Sequence, residues 1–162
     1  MFKFLLPVLL VALISCKATT TLYVVRHAEK ETATTMSSDV PLSTEGKQRA
    51  EALAEVLKDK NIKHIYATNF LRTKSTAQPL ATAINVPIEI YNPNDTSFVS
   101  RIKNSKGNVL IVGHSNTVDD IVNKLMGKTV IAGDLPDNEF GDLFVVKKKG
   151  DDFSFEKRHF GK

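Results

Sequence analysis

The sequence predicts an α/β fold: a three-layer α/β/α sandwich with a largely parallel sheet and a C-terminal antiparallel hairpin. Three observations lead there. From residue 22 to residue 126, short β-branched apolar runs alternate with segments of helical period, the pattern of strand–helix–strand units. The last two apolar runs are separated only by Gly150-Asp151-Asp152, which is too short for a crossover helix and suits a hairpin turn. The 162 residues, 42% hydrophobic and 25% charged, suit one domain with a core that needs no disulfide.

Each element has a local reason. Leu22-Tyr23-Val24-Val25 is a compact apolar run that stops at Arg26-His27 and reads as a buried first strand. Residues 28–41 are polar and aperiodic, a loop closed by Pro41. Ser43 is placed to cap a helix over 44–59, where Ala50, Leu53, Ala54 and Leu57 share a face. A second strand follows over 62–67, then a helix over 70–83 interrupted by Pro79, then a third strand over 88–91. Asn92-Pro93-Asn94-Asp95 is turn chemistry, with Asp95 as cap of a short helix over 96–103. A fourth strand over 108–112 runs into Gly113-His114, and a helix over 117–126 ends at Gly127. Residues 128–142 form a polar loop, and 143–148 and 153–159 form the hairpin.

The first fifteen residues differ from the rest. Met1-Phe2-Lys3 carries one positive charge, and Phe4 to Ile14 is almost purely apolar. That run is short for a membrane span, which takes ~20 residues, and it has the layout of a secretory signal peptide over 1–15. Leu13-Ile14-Ser15-Cys16 resembles the bacterial lipobox, which implies cleavage before Cys16 and lipidation of its thiol. Cys16 is the single cysteine, so no internal disulfide forms. The expected layout is signal peptide 1–15, lipidated tether 16–20 and one domain over 21–162, anchored in the cell envelope of a bacterium, periplasmic or surface-facing. Loss of Lys3 leaves 21 basic against 18 acidic residues, a formal charge of +3. The lysines are scattered, and Lys147-Lys148-Lys149 sits near the hairpin tip, where charge protects an edge. No basic stripe with interleaved aromatics is present, so nucleic acid is not an expected partner; the membrane is, through the anchor.

In open α/β sheets, ligands bind outside the carboxyl ends of the strands, where the strand order reverses. That edge receives Arg26 and His27 after the first strand, His114 after the fourth, and Arg72 in the first turn of the helix after the second. Guanidinium forks match phosphate oxygens, and nearby helix N-termini add free N–H groups. A lone strand-end histidine is ordinarily structural; two of them beside two arginines point to a phosphoryl guest. His64 and His159 lack such company and read as surface or strand residues. Asp119 and Asp120 read as an exposed helix face, with Asp119 within reach of the pocket mouth. Ligands at metal-binding spacing are missing, so neither a metal nor a cofactor is expected.

Four ordered segments carry a family resemblance. Tyr23-Val24-Val25-Arg26-His27-Ala28-Glu29 resembles the signature of the histidine phosphatase superfamily, which includes the phosphoglycerate mutases. Pro41 to Ala50 resembles its L-S/T-x-x-G-x-x-Q-A helix start, Tyr66 to Ala77 its S-P-x-x-R-x-x-x-T-A segment, and Val109 to Ser115 its second-histidine strand. The match spans about residues 21–126. It implies a phosphatase that hydrolyses phosphate monoesters, or phosphoramidates, of small molecules or phosphoproteins. His27 would be the nucleophile, and Arg26, Arg72 and His114 would be catalytic groups around the phosphoryl oxygens. Attack needs a neutral ring nitrogen, with the other nitrogen donating to a fixed acceptor.

Two departures from the family pattern are mild: Ala28 stands for the usual glycine, and Thr68-Asn69 for Ser-Pro. The leaving-group acid is less defined. Larger members place it after the third strand, where this chain offers Glu89 and Asp95; Glu29, beside His27, is a further candidate. Two other functions remain open on the sequence: a catalytically weak anion-binding envelope lipoprotein, and a phosphoglycerate mutase-like phosphotransferase. Secretion and the lack of long insertions disfavour the second.

Overall fold

A computed structural model describes residues 18–32 and 39–162; the expected signal peptide over 1–15 and Cys16 lie outside the described residues. Ten elements follow in order: β1 (Thr19–Arg26), α1 (Thr44–Leu57), β2 (Ile62–Ala67), α2 (Leu71–Ile84), β3 (Ile88–Ile90), α3 (Phe98–Lys103), β4 (Asn108–Gly113), α4 (Ser115–Met126), β5 (Asp142–Lys149) and β6 (Asp152–His159). The six strands make one sheet in the order β3-β2-β4-β1-β5-β6. The first four are parallel to their neighbours, and β5 pairs antiparallel with β1 and β6. The architecture is the expected α/β sandwich with a C-terminal antiparallel hairpin.

Strand alternation divides the core into two halves. Tyr23, Val25, Ile65, Leu110, Val112 and Val145 face Leu53 and Leu57 of α1 and Leu80 of α2. Leu22, Val24, Ile111, Phe144 and Val146 face Phe98 and Ile102 of α3 and Val118, Val122 and Leu125 of α4. The period of two in the strands thus serves two helical layers. From β1 the chain crosses by α1 toward β2, and from β4 it crosses by α4 toward β5 on the other side. The order therefore reverses between β1 and β4, which pair with Arg26 opposite Gly113. The residues that follow, His27 and His114, emerge side by side, and the His27 N–H donates to the Gly113 carbonyl at 2.9 Å.

Several boundaries move. β1 begins at Thr19, so the last two residues of the expected tether pair with Lys149 and Lys148 of β5. Pro79 does not interrupt α2, which runs unbroken to Ile84. A proline inside a helix costs about 3 kcal/mol. Burial of Thr76, Ala77, Leu80 and Ala81 on the adjoining face offsets it, since one fully buried leucine contributes roughly 1.5–3 kcal/mol. α3 starts at Phe98, because the Asp95 carboxylate accepts from the Ser97 N–H and hydroxyl instead of capping from the first helical turn. Asp120 is exposed and pairs with Lys124, as expected of a helix face, but Asp119 is only 7% exposed. The loop after α4 folds back, its Leu135 N–H donating to the Ser115 carbonyl at 3.0 Å, and burial beneath it raises the Asp119 carboxyl above its ordinary range.

Candidate active site

His27 is held at both its backbone and its ring. Its Nδ1 lies 2.8 Å from the Ala28 carbonyl. A carbonyl only accepts, so Nδ1 carries the hydrogen and Nε2 keeps its lone pair. The ring is buried, 5% exposed. Burial, together with the nearby Arg72, His114 and Arg26, lowers its pKa to about 3 against the pull of the Ala28 hydrogen bond. The imidazole is thus neutral through the ordinary pH range, the form a ring nitrogen needs to act as a nucleophile.

His114 stands at the N-cap of α4, its ring centroid 5.4 Å from that of His27. Its Nε2 meets the Thr68 hydroxyl at 2.8 Å. The Thr73 hydroxyl lies 2.8 Å from the Thr68 carbonyl and 3.0 Å from the Thr68 hydroxyl. The hydrogens can run one way through this chain, Thr73 to carbonyl, Thr68 to Thr73, and His114 Nε2–H to Thr68. That order leaves His114 Nδ1 as an acceptor toward Arg72 Nη2, 3.4 Å away. Burial first, then Arg72 and Arg26, lower the His114 pKa to about 4.

The two arginines are fixed differently. Arg72, in the first turn of α2, lies over the Phe70 ring at 4.4 Å, and that ring stands edge-on to His114. The Asp39 carboxylate accepts from the Leu71 N–H at 2.7 Å and supports the start of the same helix. Arg26 is buried over Phe140 at 4.2 Å. Its Nη1 donates to the carbonyls of Pro136 and Glu139 at 2.7 and 3.2 Å, and Nη2 faces the exposed Asp137 carboxylate at 3.8 Å. Arg26 is therefore both a positive wall and the anchor of the loop after α4.

Together these groups line an open pocket of about 470 Å³ that also includes Lys30, Ser115, Asn116, Asp134 and Asp137. Arg26, His27, Arg72 and His114 all come together there, as the sequence predicts. The three acid candidates do not join them. Glu29 turns away and chelates Arg49; although burial raises its pKa, the Arg49 hydrogen bonds bring the net value below the carboxylate range. Glu89 is exposed on β3 and faces His64 at 3.5 Å. Asp95 bonds Ser97 and Arg101 beside a separate groove of α3 and α4. The pocket carboxylates are instead Asp134 and Asp137, which the sequence reading passed over within a polar loop. Pro136 between two glycines, Gly133 and Gly141, was the available hint of a structured loop. Phe70 and Phe140 were missed too, since neither falls in an apolar period. Among the described residues no cluster of three or more His, Cys, Asp or Glu side chains is placed to share a metal ion.

Residues 22–92 match the family model described as histidine phosphatase superfamily, branch 1. No curated protein matches the chain by sequence. Among solved structures, the protein histidine phosphatase SixA complexed with tungstate is 19% identical, with a TM-score of 0.67 over 86% of this chain and 96% of that one. A mycobacterial glucosyl-3-phosphoglycerate phosphatase is 12% identical, with a TM-score of 0.63 over 88% and 98%. Mycobacterial hydrolase 1 is 12% identical, with a TM-score of 0.66 over 90% and 99%. At these identities the structural likeness is one of fold.

Proposed function

We propose that this chain, whose residues 22–92 match the family model of the histidine phosphatase superfamily, is a hydrolase that removes phosphoryl groups through a phosphohistidine on His27. The observation that carries this reading is a neutral imidazole with its Nδ1 tied to a carbonyl, facing His114 and Arg72 across an open, donor-rich pocket. The His27 Nε2 lone pair attacks phosphorus, and the bond from phosphorus to the leaving oxygen or nitrogen breaks and takes its electron pair away. Water then adds to phosphorus, the P–N bond breaks, and the ring returns neutral with inorganic phosphate as product. Arg26, Arg72 and His114 neutralise the equatorial oxygens, which is positioning and electrostatics without a required metal.

The site favours a subset of substrates. The pocket is open, none of the three acid candidates reaches it, and the two carboxylates that do line it, Asp134 and Asp137, are exposed to solvent. Leaving groups that depart without strong proton donation, such as the imidazole of a phosphoramidate or the carboxylate of an acyl phosphate, suit it better than simple alcohols. The openness also admits a phosphorylated side chain on a protein. The chain is further proposed to be held to a bacterial envelope by acylated Cys16.

The test is hydrolysis of p-nitrophenyl phosphate, acetyl phosphate and phosphoramidate, with EDTA present and absent. Native protein should turn over the last two faster and be indifferent to EDTA, and ³²P should be trapped on it by rapid quench into alkaline detergent, in which the P–N bond survives. His27→Ala should lose at least ~10³-fold in rate and all trapped label. Equal rates in the two proteins would return the pocket to anion binding alone. Incorporation of a fatty-acid analogue that survives Cys16→Ala would refute the anchor.

A further inference from the structure

One half-buried ion pair next to His27 takes no part in holding a phosphoryl group. Arg49 on α1 donates from Nε to both Glu29 carboxylate oxygens at 2.8 and 2.9 Å, and from Nη2 to Oε1 at 2.6 Å. The other side of the guanidinium is occupied as well: Nη1 donates to the Phe160 carbonyl at 3.1 Å and Nη2 to the Lys162 carbonyl at 2.7 Å. Arg49 is thus a fixed post, braced by the chain beyond β6, and Glu29 is strapped to it with forked, charge-assisted bonds.

The strapped segment is the one that orients His27. The Ala28 N–H donates to the Thr76 hydroxyl at 2.9 Å, and the Glu29 carbonyl accepts the Ser43 N–H at 3.0 Å. Gly46 lets α1 approach so closely that a Cβ there would overlap the Glu29 carbonyl. Backbone bonds hold one end and one edge of the Ala28–Glu29 peptide, and Arg49 holds its side chain. Between them stands the Ala28 carbonyl, the acceptor for His27 Nδ1.

We propose that Arg49, acting through Glu29, is a positioning residue that fixes the Ala28 carbonyl and with it the tautomer and direction of the His27 ring. The proposal rests on His27 being the nucleophile, and its test separates the two. A nucleophile displaced by about 1 Å loses up to ~10²-fold in rate, and supporting partners of a ligand histidine act on a scale of ~10–100-fold. Full-length native protein, Arg49→Met, Arg49→Lys and Glu29→Ala are compared by acetyl phosphate kinetics and by ¹⁵N NMR of labelled histidine, with His27→Ala assigning the resonance.

Native protein should show one His27 tautomer, Nδ1–H. Arg49→Met and Glu29→Ala should each lower kcat by ~10–100-fold, leave KM within about threefold, and show a mixture of tautomers; Arg49→Lys should recover part of kcat. Glu29→Ala leaves Arg49 on the Phe160 and Lys162 carbonyls, so it carries the test if Arg49→Met does not fold. A folded Glu29→Ala protein with native kcat and a single Nδ1–H tautomer would overturn the proposal while leaving the phosphatase reading intact. Absence of turnover in native protein would remove that reading, and the tautomer ratio would still decide for or against the Arg49–Glu29 device.

Discussion

The two sides of the His27 pocket are built by different means. On one side the groups come from strand ends and helix starts: His27 from β1, His114 from β4 and the first residue of α4's cap, Arg72 from the first turn of α2. His27 and His114 are held by hydrogen bonds to the Gly113 carbonyl and the Thr68 hydroxyl, and Arg72 lies over the Phe70 ring beside His114. On the other side the wall is a loop, residues 134–140, pinned mainly because the buried Arg26 donates to two of its carbonyls and lies over Phe140. The sheet side presents positive and donor groups at fixed positions. The loop side presents exposed carboxylates, Asp134 and Asp137. Under the proposed phosphatase reading, the difference gives recognition of the phosphoryl group to the sheet side and contact with the leaving group to the loop side.

The strongest way to break this division is on the sheet side. Arg72→Lys keeps the charge and loses the fork and the planar stack on Phe70. Removal of one fixed donor to a transition-state oxygen ordinarily costs ~10²–10³-fold in kcat, so a fall of about 10²-fold is expected in steady-state kinetics. Retention of native kcat would move phosphoryl recognition elsewhere. Thr68→Val is a smaller cut on the same side. It removes the partner of His114 Nε2 without touching the pocket wall, and a kcat loss of ~10-fold should appear in kinetics, with a loss of about 1 kcal/mol of stability from the missing hydrogen bond in urea melts. An unchanged rate would mean that His114 is oriented by α4 alone.

Protonation tests the sheet side directly. His27 and His114 have folded pKa values of about 3 and about 4, set first by burial, against ~6.5 for an unfolded histidine. Between these values the unfolded chain binds protons that the folded chain does not. Stability is therefore full above about pH 6.5 and falls as pH drops toward 4 and 3. His27→Gln removes one of these groups, so its urea midpoint should fall less between pH 7 and pH 4.5 than that of native protein. Parallel declines in the two proteins would show that His27 titrates normally in the folded state.

The same contrast explains what the sequence made legible. Arg26-His27 and His114 directly follow apolar β-branched runs, and Arg72 falls in the first turn of the helix after the second strand, so the order of elements puts all four at one edge. The pairing of Arg26 with Gly113 is what turns edge placement into proximity. The acid candidates failed because sequence position after a strand says nothing of where a short side chain points: Glu29 is two residues from His27 yet faces Arg49. Asp119 was misread because a helix face looks solvated until a loop covers it, and the turn of 131–135 over α4 depends on Leu135 finding the core. Phe140 and Asp137 sit in a stretch with no period, where tertiary bonds to Arg26 decide the conformation. Pro79 inside α2 shows the converse, a local signal overridden by burial of Thr76, Ala77, Leu80 and Ala81 in the same helix.

The smallest expected effect lies on the loop side and is the sharpest check of the division. Asp137 is fully exposed and its carboxylate stands 3.8 Å from Arg26 Nη2. An exposed pair of this kind contributes only about 0–1 kcal/mol to stability, and Arg26 keeps its carbonyl partners without it. The negative charge does oppose an incoming dianion at the pocket mouth, at a range that salt screens within roughly 10 Å at 0.1 M. Asp137→Asn should therefore leave kcat within about twofold and the urea midpoint unchanged, while KM falls by about two- to threefold at low salt and converges on the native value as salt rises. A loss of kcat of tenfold or more, specific to substrates with poor leaving groups, would give Asp137 the role of proton donor and put chemistry on the side of the pocket assigned here to contact.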